Sequence, residues 1–246
     1  MKLFDGIFHE LLKIIQFSIF IDRCKLCEND LVLAHEKSIC SDCKEKITAL
    51  PSHVCSHCGR PLWNDATRCG ECIVNPPLFL RHISYGRYDD VLKELILKFK
   101  YGRVDNLKHL LAGFYLEILN KHILEKESKE HFDFIIPVPP DMGRRREFNP
   151  ILEMAKIFSK HSGIPLLPRR LVKIKKTLPQ AGLSRSKRLI NLDGAFKLTS
   201  TPPSLAGKKV LLIDDVYTTG TTIRKCTLLL VKEGAAVVAL TLARSV

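Results

Sequence analysis

A chain of 246 residues, 46% hydrophobic and 26% charged, can bury one large core or a medium core with a small companion, and its composition is not that of a disordered protein. Its formal net charge of +13 is uneven: residues 1–80 hold nine Lys/Arg against ten Asp/Glu, the remainder 30 against 16, and residues 141–190 alone thirteen against three. So basic a stretch suits a polyanion (nucleic acid, a phosphorylated substrate or an anionic membrane surface), and its bland counterpart is a solvated face.

In chain order, residues 1–22 read as an amphipathic helix. Leu3, Phe4, Ile7, Phe8, Leu11, Leu12 and Ile15 fall on one stripe, broken by Asp5, His9, Glu10 and Lys13. Its apolar runs are too short for a transmembrane span. The stripe is expected to pack on the rest of the protein, with contact to a membrane surface as the alternative. Residues 23–76 hold eight of the nine cysteines: Cys24, Cys27, Cys40 and Cys43 in C-x2-C-x12-C-x2-C, then Cys55, Cys58, Cys69 and Cys72 in C-x2-C-x10-C-x2-C. Each C-x-x-C sets two thiolates on one turn, and two turns complete a tetrahedron around Zn²⁺ with no open position, so two structural zinc ions are expected. Consecutive pairing gives two ribbons and interleaved pairing a crossed module; chain order favours the first. Gly59 and Gly70 are candidates for the tight turns. Cysteine used this way belongs to a reducing compartment, which gives a cytoplasmic expectation.

Pro76-Pro77 marks a break. From 80 to 246, strand-like and helix-like patterns alternate. Residues 81–88 read as a strand, 89–99 as a helix capped by Asp89 or Asp90, and 106–126 as a longer helix. A buried strand covers 132–139, and a helix 149–162 begins with Asn149 as cap and Pro150 in the first turn. The strand 208–216, the helix 221–233 stopped by Gly234 and the strand 235–244 complete the series. Such alternation predicts an α/β fold, a parallel sheet covered on both faces. Cys226, alone in a helix, is expected to be buried and inert.

One segment carries chemistry. Val210–Ile213 is a continuous apolar run ending in Asp214-Asp215, followed by Val216, Tyr217, Thr218, Thr219, Gly220, Thr221 and Thr222 at a helix start. Carboxylates at the carboxyl end of a buried strand can meet hydroxyls or Mg²⁺, and a loop of small residues entering a helix N-terminus offers N–H groups to a phosphate.

This thirteen-residue run, 210–222, resembles the signature of type I phosphoribosyltransferases, which bind 5-phosphoribosyl-1-pyrophosphate (PRPP). By that resemblance Asp214 and Asp215 face the ribose hydroxyls, directly or through Mg²⁺, and residues 216–222 line the PRPP site, with 218–222 on the 5-phosphate. Val138 and Pro139 resemble a pyrophosphate-gripping loop. A wider resemblance takes in the cysteine ribbons, K-F-K-Y-G-R at 98–103, P-V-P-P and R-R-R-E-F-N within 137–149, and T-L-P-Q-A-G-L-S-R-S-K-R-L-I-N-L-D-G-A-F at 177–196. These occur in this order in the ComF family, implicated in natural competence, the uptake of single-stranded DNA. The resemblance implies a Mg²⁺-dependent phosphoribosyltransferase with a zinc ribbon. Lys100, Arg146, Asn149, Gln180, Arg188 and Asn191 match the family's polar positions. Lys100 is assigned to PRPP and Arg146 to catalysis beside Asp214 and Asp215, while Pro150 departs from the pattern. Arg144, Arg145, Lys175 and Lys176 are candidates for single-stranded DNA or for the departing pyrophosphate. Proteins of the DNA-uptake machinery are further expected partners, and the inner face of the membrane an expected place of work. The competing reading is a non-catalytic PRPP sensor and DNA-binding adaptor; a salvage enzyme is disfavoured by the appended zinc module.

Overall fold

The computed structural model describes residues 22–31, 38–102, 104–121, 130–140, 149–175, 177 and 192–246. The amphipathic helix expected at 1–22 lies outside them save for Asp22. Among the described residues, no helix is long and apolar enough to cross a membrane. The chain forms two compact units, Met1–Ile47 and Thr48–Val246. That division falls inside the cysteine-rich stretch, not at Pro76-Pro77. The second cysteine group belongs to the larger unit because Cys55, Cys58, Cys69 and Cys72 are buried in one cluster with core residues from beyond residue 130.

The smaller unit contains helix α1 (Ser41–Glu45). The larger begins with α2 (Gly70–Val74), then β1 (Arg81–Arg87), α3 (Asp90–Tyr101), α4 (Leu107–Leu119), β2 (Phe134–Pro137), α5 (Pro150–Ser162), β3 (Leu171–Lys173), β4 (Phe196–Leu198), β5 (Lys209–Tyr217), α6 (Thr221–Lys232) and β6 (Ala236–Arg244). The sheet is wholly parallel in the order β1-β6-β5-β2, and Leu166 adds a parallel bridge to Ile135 beyond β2. β3 and β4 form a separate antiparallel pair.

Order along the sheet explains how both faces are covered. The chain steps outward from β1 to β2 and to Leu166, then returns through β5 to β6. Right-handed crossovers therefore put α4 and α5 on one face and α6 on the other. Packing agrees. Alternate residues Val210, Leu212, Val237 and Ala239 share a buried cluster with Ile223, Cys226 and Leu230 of α6. On the opposite face α4 lies against β1 and β6 and α5 against β2 and β5, with the rings of Tyr115 and Phe158 5.5 Å apart.

Local signals set the element ends. Asn149 Oδ1 accepts from the Leu152 N–H at 3.1 Å, with Pro150 as the first helical residue. Gly234, at φ 84°, follows the end of α6. Asp89 stands at the cap of α3, but its side chain makes no capping bond; its carboxylate turns instead to Arg87 at 3.1 Å. The helix expected over 106–126 is formed over Leu107–Leu119, and 122–129 lie outside the described residues.

Asp133 pins the start of the central pair, accepting from the Lys209 N–H at 2.8 Å and Lys208 Nζ at 3.0 Å. These bonds, the backbone one foremost, hold its carboxyl below the ordinary value of 3.8. A depressed pKa contributes stability that is present above 3.8 and lost as pH falls through the folded value. The expected result is an acid limb in urea midpoints below about pH 4 that is shallower in Asp133→Asn.

Candidate functional site

The loops after β2 and β5 leave adjacent strands for opposite faces, the first towards α5 and the second towards α6. The crevice between them is a topological switch point, where open α/β sheets bind ligands. Pro137 stands opposite Ile213, and the Val138 N–H donates to Ile213 O at 2.9 Å, so the Val138–Pro139 turn lies beside Asp214 and Asp215.

Successive strand residues face opposite ways, and the two aspartates divide accordingly. Asp215, 8% exposed, forms an ion pair with Lys100 from the end of α3. Burial pulls the Lys100 ammonium down, but the charges of Asp215 and Asp214 more than offset this, leaving its pKa above the ordinary lysine value. Asp214 Oδ1 accepts from the Asp215 N–H at 2.9 Å, and Asp214 O accepts from the Tyr115 hydroxyl at 2.6 Å. Tyr115, which no sequence motif marks, thus fixes the backbone at the acidic pair.

The following loop is shaped by Gly220. It lies at φ 74° and caps α6, and a Cβ there would collide with the ring hydroxyl of Tyr217. The hydroxyls of Thr219 and Thr221 are 2.9 Å apart. The loop runs directly into the first turn of α6, with Val216 half-buried and Thr218 exposed. Arg144, Arg145, Arg146, Lys176, Gln180, Arg188 and Asn191 lie outside the described residues. Lys175 is exposed, 3.5 Å from Asp193 O.

Both cysteine groups are consecutive: Cys24, Cys27, Cys40 and Cys43, then Cys55, Cys58, Cys69 and Cys72, with the sulfurs of each group within 4.8 Å of one another. A tetrahedral ion with Zn–S bonds of about 2.3 Å would set neighbouring sulfurs about 3.8 Å apart. The pair Cys27–Cys40 is at 3.7 Å and Cys58–Cys69 at 3.6 Å. Burial and then the Cys58 charge push the Cys72 thiol up, so four thiolates this close call for a cation. The residues present fit two structural zinc ions.

The two groups are copies of one design. Glu28 and Gly59, each just after the second cysteine, take φ 63° and 66°. Cys40 and Cys69 each stand at the N-cap of a five-residue helix. Gly59 is the tight-turn glycine; Gly70 is an ordinary helical residue with open space around it.

Three residues join the second group to the sheet. His82 Nδ1 donates to Cys58 O at 3.0 Å. Burial foremost, then Arg244, hold its ring at a pKa of about 3, so it is neutral, with Nε2 beside the hydroxyls of Thr241 (2.9 Å) and Ser84 (3.2 Å). Arg244, 2% exposed, donates to Cys58 O. Tyr217 packs against both. A cavity of about 90 Å³ lies between this group and the loop, lined by Arg60, Glu71, Thr218, Thr219, Arg224 and Arg244 among others. It is far below the few hundred Å³ of a site that encloses a drug-sized ligand.

Residues 17–73 match the double zinc ribbon domain and 152–243 the phosphoribosyl transferase domain. Competence protein F of Haemophilus influenzae is 32% identical over 220 residues, 88% of this chain and 94% of that one. The DNA utilization protein YhgH of Escherichia coli is 30% identical over 87% of this chain and 93% of its own. Competence protein ComFC of Bacillus subtilis is 27% identical over 90% of this chain and 95% of its own.

Proposed function

The chain belongs to the ComF family of competence proteins, with a double zinc ribbon and a phosphoribosyltransferase domain, and from that premise we propose that it binds PRPP with Mg²⁺ and handles incoming single-stranded DNA. What supports the PRPP half is one observation: Asp214, Asp215 and the 218–222 loop meet at the switch point of a parallel sheet. In this reading the loop N–H groups and the α6 terminus hold the 5-phosphate, and the two carboxylates hold the ribose hydroxyls. Val138 and Pro139 flank the pyrophosphate. Mg²⁺ supplies charge neutralisation for the departing phosphates. Lys100 keeps a cation beside Asp215 until the ligand arrives. Displacement at the anomeric carbon builds charge on the leaving group, which Arg146 stabilises.

Calorimetric titration tests the binding. PRPP affinity is expected to require Mg²⁺ and to fall at least 100-fold in Asp214→Asn/Asp215→Asn, about 2.7 kcal/mol. Unchanged binding in that variant overturns the reading. Pyrophosphate release, assayed with bases, amines and single-stranded DNA, separates a transferase from a sensor that binds without turnover.

The DNA half is supported by the basic stretch 141–190 and by the names of the relatives. Arg144, Arg145, Lys175 and Lys176 are its proposed backbone contacts. Binding of an oligodeoxythymidylate is expected to weaken steeply with salt, with a shallower slope when the four are replaced by glutamine. In this reading the protein works in the cytoplasm at the inner face of the membrane, beside the uptake machinery.

A further inference from the structure

Cys58 is where the second cysteine group meets the loop after β5. Its carbonyl oxygen accepts from both His82 Nδ1 and Arg244 Nη1, and its sulfur lies 3.7 Å from Arg244 Nη2. Both partners then close on one ring. The His82 imidazole stacks on Tyr217 with centroids 4.1 Å apart and planes at 27°, and the Arg244 guanidinium lies 4.6 Å from the centroid of the same ring. Tyr217 ends β5, and its hydroxyl occupies the space a side chain at Gly220 would need. A continuous series of contacts therefore runs from a metal ligand, through two side chains and one ring, to the backbone of the phosphate loop.

The electrostatics give the series a direction. Arg244 is a buried cation that forms no ion pair with a carboxylate among the described residues; Glu71, which lines the same cavity, pairs with Arg224 at 3.9 Å. A buried cation without a countercharge is costly. Four thiolates around Zn²⁺ carry a net charge of about −2, and Cys58 brings that charge against the guanidinium. The filled zinc group is thus the countercharge of Arg244. If the ion leaves, the sulfurs no longer hold Cys58 in place, and the contacts that clamp Tyr217 go with it.

We infer that Arg244 is a positioning residue tying the second zinc group to the phosphate loop, so that zinc at Cys55, Cys58, Cys69 and Cys72 and PRPP at the loop favour each other. The ligand in this statement rests on the PRPP reading above; the mechanical link does not. Coupling of this kind is reciprocal, and a tenfold effect in one direction requires the same in the other.

Two measurements on the full-length, zinc-loaded chain test it. The first is hydrogen exchange without ligand. Arg244→Gln keeps all eight thiols and every loop residue. Exchange across 216–222 is expected to speed at least tenfold, while zinc content stays at two per chain and exchange across 210–213 is unchanged. Loop exchange equal to wild type overturns the link. The second is cysteine alkylation of the wild type under a zinc chelator, read by mass spectrometry. PRPP with Mg²⁺ is expected to slow modification of Cys55, Cys58, Cys69 and Cys72 about tenfold and to leave Cys24, Cys27, Cys40 and Cys43 unaffected. Equal protection of both groups, or of neither while PRPP is bound, overturns it even if Arg244→Gln fails to fold. A chain that binds no PRPP but whose loop loosens in Arg244→Gln upholds the link and removes only the PRPP reading.

Discussion

Cys72→Ser is expected to abolish the cooperative thermal transition of residues 48–246. The four sulfurs of this group are no surface clip. They are buried in one cluster with Val210 and Leu212 of the central strand, Ile223 and Leu230 of α6 and Phe79. A structural zinc site contributes on the order of 10 kcal/mol to folding, comparable with the whole stability of a typical domain. Serine keeps the shape but not the thiolate, and it leaves three buried sulfurs competing for an ion they cannot enclose. Calorimetry paired with zinc analysis reads the outcome: one zinc per chain and no transition where the wild type melts. A melting point within a few degrees of wild type would show that the core holds without the metal. The matching change at Cys43 lies in the smaller unit and is expected to spare that transition.

Gly220→Val is expected to abolish PRPP binding while leaving the sheet folded. A β-branched residue at φ 74° carries left-handed strain of about 1–2 kcal/mol. Its Cβ also falls on the Tyr217 ring, which His82 and Arg244 hold in place. The backbone must yield because the ring cannot, and the loop then loses the N–H arrangement at the start of α6. The expected loss is about 3 kcal/mol of stability and at least 100-fold in affinity. Alanine moves both in the same direction by less. Calorimetric titration and a melting curve check it, and wild-type affinity in the valine variant would count against a phosphate role for the loop.

The central part of this architecture is legible in the residues. β5 and β6 read as buried parallel strands because each is built on a continuous apolar run, Val210–Ile213 and Ala236–Leu240, and Asn149 and Gly234 act as cap and stop. The acidic pair and loop are contiguous in sequence, so their meeting needs no tertiary information. What escapes is whatever depends on distant residues. β3 and β4 are three residues each, too short for periodicity to register. Tyr115 looks like one more apolar position in α4, yet its hydroxyl reaches Asp214 O across 99 residues. Arg244 closes the last strand, and no motif marks it; it is buried against Cys58, 186 residues earlier. That same contact, with the shared buried cluster, ties the second cysteine group to the larger compact unit. Lys100, assigned to the ligand by resemblance, is found holding an aspartate.

The position of β6 bears on how the chain is made. Among the described residues β1 pairs with β6 and with no other strand of the sheet, and their first registered residues, Arg81 and Val238, are far apart in sequence. A ribosome delivers β1 early and its partner late. Until residues 236–244 emerge, β1 (Arg81–Arg87) has no strand to pair with among the described residues, and the Cys58 carbonyl lacks its arginine. Such long-range closure is slow and exposes the nascent chain to aggregation. Closure of β1 onto β6 is therefore expected to be a late step, completed only once residues 236–244 are available.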